Sequence, residues 1–218
     1  MKRVIIFING NLSNFSQAKN IITHQDTLIA VDGGVRHILK LGLTPHIVIG
    51  DLDSIPKNVL KNLGRTRRPA PTKIIKYPAK KDETDFELAV NFALEKKYKQ
   101  IIIFGILGDR VDHFLANIFL LTKIQTENQS IKIKIIEGKK EIYILDKEIM
   151  VDGNIGDEIS IIPVSEKLEG VTTDGLYYRL INDTLSFGST RGISNVMNKE
   201  TVKITITKGV ALVEHNYL

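Results

Sequence analysis

The sequence predicts an α/β domain with a parallel sheet, followed by an all-β domain. Two observations carry this. Apolar runs at Val4–Ile8, Leu28–Val31, Ile47–Ile49, Ile74–Ile75, Ile101–Phe104 and Ile131–Ile136 alternate with polar or amphipathic stretches, the pattern of strands buried under crossover helices. After about residue 140 the pattern changes to short segments rich in β-formers, separated by Asp152-Gly153-Asn154, Glu169-Gly170, Asp174-Gly175 and Lys208-Gly209. Turn signals at that frequency indicate an antiparallel sandwich or small barrel.

The first apolar run, Val4 to Ile8, is read as a strand; it is too short for the apolar region of a signal peptide or for a membrane span. The clearest helix follows Lys81. Thr84 and Glu87 have capping-box spacing, and Phe86, Ala89, Val90, Ala93 and Leu94 recur at helical period. A second helix is predicted from about Asp112 to Lys123, with Leu115, Ile118, Phe119 and Thr122 inward. In the β region the expected strands are Glu141–Leu145, Glu158–Pro163, Val171–Thr173, Tyr177–Leu180, Thr201–Thr207 and Ala211–Val213. Val202 to Ile206 alternates at period two. The division is placed near Gly138, giving domains 1–138 and 139–218.

At 218 residues, 43% hydrophobic and 25% charged, the composition is that of a soluble globular protein with room for a full core. Cysteine is absent, which excludes disulfides and thiolate metal sites and fits a reducing cytosol. The net charge of +5 is uneven. Between Asp53 and Asp82 there is no acidic residue, whereas Lys57, Lys61, Arg65, Arg67, Arg68, Lys73, Lys76, Lys80 and Lys81 are basic. A solvated face beside an anionic substrate is favoured over a nucleic-acid patch, because only Tyr77 is interleaved to stack a base.

Three aspartate motifs, Asp32-Gly33-Gly34, Gly50-Asp51-Leu52-Asp53-Ser54 and Lys81-Asp82-Glu83-Thr84-Asp85, each follow a segment read as a strand. Carboxylates at the ends of parallel strands converge on the ligand crevice of open α/β sheets. Gathered there they repel unless a cation neutralises them, and an oxygen-only donor set suits Mg²⁺. Asp51 and Asp53, two apart in extended chain, would share a face; an Asx turn is the competing reading. Asp82 and Asp85 fall at a helix start, where capping suffices for Asp82, while Asp85 can face the crevice with Lys81 as a phosphate partner. Asp32-Gly33-Gly34 either exposes amides to an anion or makes a tight turn. In Gly105 to His113, Arg110 is placed to hold a phosphate by its planar fork, Asp112 to cap the following helix, and His113 to act as a base or, more simply, as a packed histidine. Ser186 to Asn195 concentrates hydroxyls, amides and Phe187 around glycines, as a recognition loop or a plain hairpin loop.

With these residues assembled, the chain resembles the thiamine pyrophosphokinase family across nearly its whole length. Asp32-Gly-Gly34, Gly50-Asp-Leu-Asp-Ser54, Lys81-Asp-Glu-Thr-Asp85 with Glu87, Gly108-x-Arg110-x-Asp112-His113 and Gly192-Ile-Ser-Asn195 occur in the family's order. The resemblance implies a Rossmann-like catalytic domain, a β-sandwich that binds thiamine, Mg²⁺, and a homodimer with sites shared between subunits. Asp109 stands where the family has a second glycine, and Phe187 where an aromatic, often Trp, precedes the thiamine-contacting loop.

The expected activity is transfer of diphosphate from ATP to the hydroxyl of thiamine, with AMP as leaving group. Asp51, Asp53 and Asp85 are the expected metal ligands and catalytic carboxylates, with Asp32 close by. Lys81, Thr84 and Arg110, grouped with Asp82, would hold phosphates. Ser194 and Asn195 would bond the aminopyrimidine while Phe187 packs on a ring. A metal-dependent phosphohydrolase and a non-catalytic nucleotide or thiamine sensor are the alternatives. A cytoplasmic protein with neither nucleic-acid nor membrane partners is expected.

Overall fold

The computed structural model describes residues 2–63, 71–108 and 110–218. Asp109 and the basic residues Arg65, Arg67 and Arg68 lie outside the described residues. The chain divides into two compact units, Met1–Asn117 and Ile118–Leu218.

In the first unit β1 (Arg3–Phe7), α1 (Phe15–Ile21), β2 (Thr27–Val31), α2 (Val35–Lys40), β3 (Ile47–Gly50), α3 (Lys57–Leu63), β4 (Lys73–Lys76), α4 (Asp85–Glu95) and β5 (Gln100–Phe104) alternate in the expected way. The strands lie in the order β4-β3-β2-β1-β5. All four pairings are parallel, with Ile6 opposite Ile29 and Ile103, Val31 opposite Ile49, and Gly50 opposite Lys76. Val4 to Phe7, Ile29, Ala30, Val48, Ile49, Ile101, Ile103 and Phe104 are sealed from solvent, as a sheet covered on both faces requires. β4 is mostly exposed and bears Lys73 and Lys76, charges that discourage pairing at a sheet edge.

α4 starts where its sequence says it should. Thr84 is the N-cap, its Oγ1 accepting the Glu87 N–H at 3.1 Å, and Phe86, Ala89, Val90 and Ala93 are buried. Asp82 does not cap it; it is exposed, two residues before the cap. α5 (Val111–Glu127) is longer than expected and shows a different face to the interior. Asn117, Ile118, Leu121, Ile124 and Gln125 are buried, whereas Val111, Leu115 and Phe119 form an exposed row at i, i+4 and i+8. Ile118 is buried as expected, whereas Leu115 and Phe119 are not, and Asn117 and Gln125 take inward positions.

The second unit holds two antiparallel sheets. One has the order β12 (Asn195–Val196), β9 (Glu158–Pro163), β14 (Ala211–Asn216), β7 (Lys140–Leu145), β6 (Lys132–Glu137); the other has β11 (Asp183–Ser186), β10 (Lys167–Asp174), β13 (Thr201–Thr205), β8 (Glu148–Asp152). β6, expected as a sixth strand of the parallel series, pairs antiparallel with β7 across Gly138, whose φ of 60° supports a tight reversal. Val151, Leu168, Val171 and Val202 of one sheet share a core with Leu145, Ile159, Ile161 and Val213 of the other, which makes the unit a sandwich. β8 and β11 were not anticipated. Tyr177–Leu180 is not a strand: only Leu176 bridges to Met197, and Tyr177 and Tyr178 stand 69% and 66% exposed. Among the described residues, no helix is long and apolar enough to cross a membrane.

Candidate active site

The first unit's chain runs β1 to β4 in one direction across the sheet and then returns to place β5 on the other side of β1. That reversal opens a crevice at the carboxyl ends of β1 and β5, the usual ligand position in such sheets. A cleft of about 380 Å³ lies there, walled by Ile8, Asn9 and Gly10 after β1 and by Gly105, Ile106 and Gly108 after β5. Asp32, Thr84, Asp85, Arg110, His113 and Asn117 also line it.

Asp32 opens a single 3-10 turn, Asp32–Gly34, and adopts a left-handed φ of 46°, a conformation that aspartate tolerates better than most residues. The following glycines serve close packing. A Cβ on Gly34 would lie 2.1 Å from the Phe7 carbonyl oxygen, and one on Gly33 would lie 2.3 Å from Asn9 Oδ1. Asp32 Oδ2 accepts from Ser54 Oγ at 2.6 Å, joining the first aspartate motif to the second, while Asp32 Oδ1 is buried without a hydrogen-bond partner. Such an oxygen is an available ligand atom.

Asp51 and Asp53 line an adjoining cleft of about 460 Å³ with Ser54, Lys57 and Lys76. The backbone between them is not extended. Leu52 has a φ of 70°, and Asp51 Oδ1 accepts the Asp53 N–H at 3.0 Å, so the pair sits on an Asx turn after β3. Lys81 Nζ pairs with Asp85 Oδ1 at 2.9 Å and donates to the Pro78 carbonyl at 3.0 Å. Both side chains are largely shielded, so an ammonium stands beside the Asp85 carboxylate, although Lys81 itself lines neither cleft. Asp82 lines neither cleft.

Arg110 is exposed and directs its fork at Asp112, Nε to Oδ1 at 3.2 Å and Nη2 to Oδ2 at 2.5 Å. These bonds hold the Asp112 carboxyl below the usual carboxylate range. Asp112 lies within the first turn of α5 and accepts the His113 N–H rather than capping from outside. Among the described residues, no group of three acidic or histidine side chains is poised around a common metal position. Asp51 and Asp53 are brought together; Asp85 joins Asp32 in the neighbouring cleft.

In the second unit Phe187 is 67% exposed after β11. Ser194 has a φ of 52°, its N–H donating to Ser160 Oγ at 3.1 Å. Asn195 is buried, and its amide is occupied: Oδ1 accepts the Tyr178 N–H at 2.9 Å and Nδ2 donates to the Tyr178 carbonyl at 2.6 Å. The side chain brackets the turn that carries two exposed tyrosine rings in edge contact, 5.0 Å between centroids. Sequence reading missed this aromatic pair, and it missed Asn9 and Gly10, whose short Asn-Gly step after β1 was the available signal.

Comparison with known proteins identifies the family to which a chain of this fold belongs. A family model described as "Thiamin pyrophosphokinase, catalytic domain" matches residues 18–135, and one described as "Thiamin pyrophosphokinase, vitamin B1 binding domain" matches residues 146–211. The thiamine pyrophosphokinase of Bacillus subtilis (strain 168) is 36% identical over 214 residues, covering 96% of this chain and 97% of that protein. A crystal structure of the Bacillus subtilis protein superposes with a TM-score of 0.86 at 32% identity, covering all of both chains. The Geobacillus thermodenitrificans structure superposes with a TM-score of 0.82 at 26% identity, covering 100% of this chain and 98% of that one. With both family models matched in order along a fold of this kind, the chain belongs to the thiamin pyrophosphokinase family.

Proposed function

We infer that the chain transfers diphosphate from ATP to the hydroxyl of thiamine, giving thiamine diphosphate and AMP. The observation that carries this reading is the crevice at the β1/β5 reversal, which gathers Asp32, Thr84, Asp85 and Arg110 in a chain matched by both the catalytic and the vitamin-binding family models. Displacement at phosphorus asks for in-line positioning and charge neutralisation rather than a covalent nucleophile, and the residues present are of that kind.

The donors suit Mg²⁺: all are hard oxygens, and Asp32 Oδ1 is buried with no partner of its own. Mg²⁺ keeps waters and substrate oxygens in its shell, so it does not require three protein carboxylates around one point. Asp51, Asp53 and Asp85, with Asp32, are the residues that would hold it, and when bound it would neutralise charge on the transferring phosphates. Arg110 exchanges its exposed carboxylate partner for a phosphate, Thr84 presents its hydroxyl at the positive end of α4, and Lys81 adds a cation beside Asp85. Asp82 is placed near the nucleotide only through its motif.

In this reading residues 1–138 handle nucleotide and metal, and residues 139–218 bind the acceptor. Phe187 and the Tyr177–Tyr178 pair offer ring faces, and Ser194 and Asn195 the polar contacts, with Asn195 acting by fixing Tyr178. The working form is a cytoplasmic homodimer with sites shared between subunits, independent of nucleic acid and membrane. The exposed Val111, Leu115 and Phe119 row supports an assembled state. Incubation with ATP, Mg²⁺ and thiamine, followed by mass spectrometry, tests the reaction. AMP must appear only with thiamine; nucleotide hydrolysis without it would make the chain a phosphohydrolase, and intact binding without product a sensor.

A further inference from the structure

The cleft wall Asn9–Gly10 is held by two residues that do not themselves line the cleft. On one side, Arg36 Nη2 donates to the Asn9 carbonyl at 2.7 Å and to the Gly10 carbonyl at 3.1 Å, and His37 Nε2 bonds the same Gly10 carbonyl at 2.8 Å. On the other, the Gly10 N–H donates to the Gly105 carbonyl at 3.0 Å and the Asn11 N–H to the Leu107 carbonyl at 2.7 Å. A trans peptide points its C=O and N–H in opposite directions, so each of the two peptides is bracketed at both ends. The segment is therefore a strut between α2 and the 105–108 loop, which is the opposite wall. A Cβ at Gly10 would fall 2.2 Å from the Leu107 oxygen, so the walls meet at the smallest separation that the backbone allows.

The donors are fixed by their surroundings. His37 is buried, its Nδ1 has no partner, and the acceptor at Nε2 is a carbonyl, so Nε2 carries the proton. Burial also holds the imidazole below its ordinary pKa. Arg36 is exposed and forms no ion pair among the described residues, so its guanidinium is committed to the two carbonyls.

We propose that Arg36 and His37 are positioning residues for the nucleotide, setting the spacing of the two cleft walls through the carbonyls of Asn9 and Gly10. This role rests on the reading of the cleft as the ATP site. It is tested with purified Arg36→Leu and Arg36→Lys, measuring ATP binding by calorimetry, KM for each substrate, kcat and Tm. Arg36→Leu is expected to weaken ATP binding and raise its KM by about tenfold, the scale of a slightly misplaced cleft wall rather than of a lost contact to ATP, with KM for thiamine within about twofold. Tm should fall by no more than about 4 °C, the scale of about 1 kcal/mol from two exposed charge-assisted bonds. Arg36→Lys, able to reach one carbonyl, should recover part of the ATP affinity. Unchanged ATP affinity in Arg36→Leu overturns the role, as does an equal rise in both KM values with a lowered Tm, which would mark plain loss of fold. A wild-type chain that turns over thiamine but binds no ATP at this cleft overturns the reading of the cleft and the role with it.

Discussion

Asp51 Oδ1 accepts the main-chain N–H of Asp53 at 3.0 Å, so the first carboxylate of the pair shapes the turn that presents the second. An asparagine at 51 retains the accepting oxygen and loses only the charge. Asp51→Asn is therefore expected to melt like wild type while turnover falls by about 10²-fold, the scale of one lost electrostatic contact in a transition state. Asp53→Asn should behave alike. Circular dichroism and steady-state rates at limiting Mg²⁺ check this, and wild-type turnover would remove the pair from the site.

Arg110 and Asp112 form an exposed pair, with 67% and 64% of their side chains accessible. A pair so open to water contributes little to stability, and its fork is ready to exchange partners. Arg110→Lys should leave Tm unchanged yet raise the KM for ATP, because an ammonium cannot reproduce two parallel donors. Identical ATP dependence in Arg110→Lys and Arg110→Ala would exclude Arg110 from phosphate binding.

How much of this was legible beforehand differs from element to element. The cap and buried face of α4 could be read because Thr84, Glu87 and the apolar period are all local. The face of α5 could not, since Asn117 and Gln125 are buried by long-range packing while Leu115 and Phe119 face outward. The extended reading of Asp51–Asp53 failed on the left-handed backbone of Leu52, which no residue type announces. Tyr177–Leu180 has the composition of a strand, yet Asn195, seventeen positions from Tyr178, takes the backbone groups that a neighbouring strand would have used. The family order of motifs survived these local errors, because it depends on residue identity rather than conformation.

The bracket from Asn195 to Tyr178 bears on the acceptor. Asn195→Ala frees the turn under the two rings, and the expected result is a raised KM for thiamine with little change for ATP. If sites are shared between subunits, mixing Asn195→Ala with Asp53→Asn should restore about a quarter of the wild-type sites, since random exchange makes half the dimers mixed and each mixed dimer keeps one intact site of two. No rescue after demonstrated exchange would show that each site lies within one subunit.

A stability prediction concerns Asp157, buried in the second unit. Burial works against its charge, but the N–H groups of Asn154 and Leu218 and the ring of His215 outweigh it and hold the carboxyl below the usual range. A depressed carboxylate pKa adds stability that is fully present above the ordinary value of about 4 and is lost as pH falls through the folded value. Asp157→Asn should cost about 3 kcal/mol at neutral pH, with the gap to wild type narrowing only below about pH 4. Urea unfolding across pH gives the comparison; a gap that widens on acidification would contradict it.

Left-handed backbone at Asp32, at Leu52 between two carboxylates, and at Ser194 carries a steric charge of about 1 kcal/mol or more per residue, which glycine would not incur. Laboratory evolution for heat resistance alone would thus be drawn toward glycine at the very positions that aim the site. Thermostable descendants obtained that way should emerge progressively less active, whereas joint selection for heat resistance and product formation should leave these three residues in place and find its gains elsewhere.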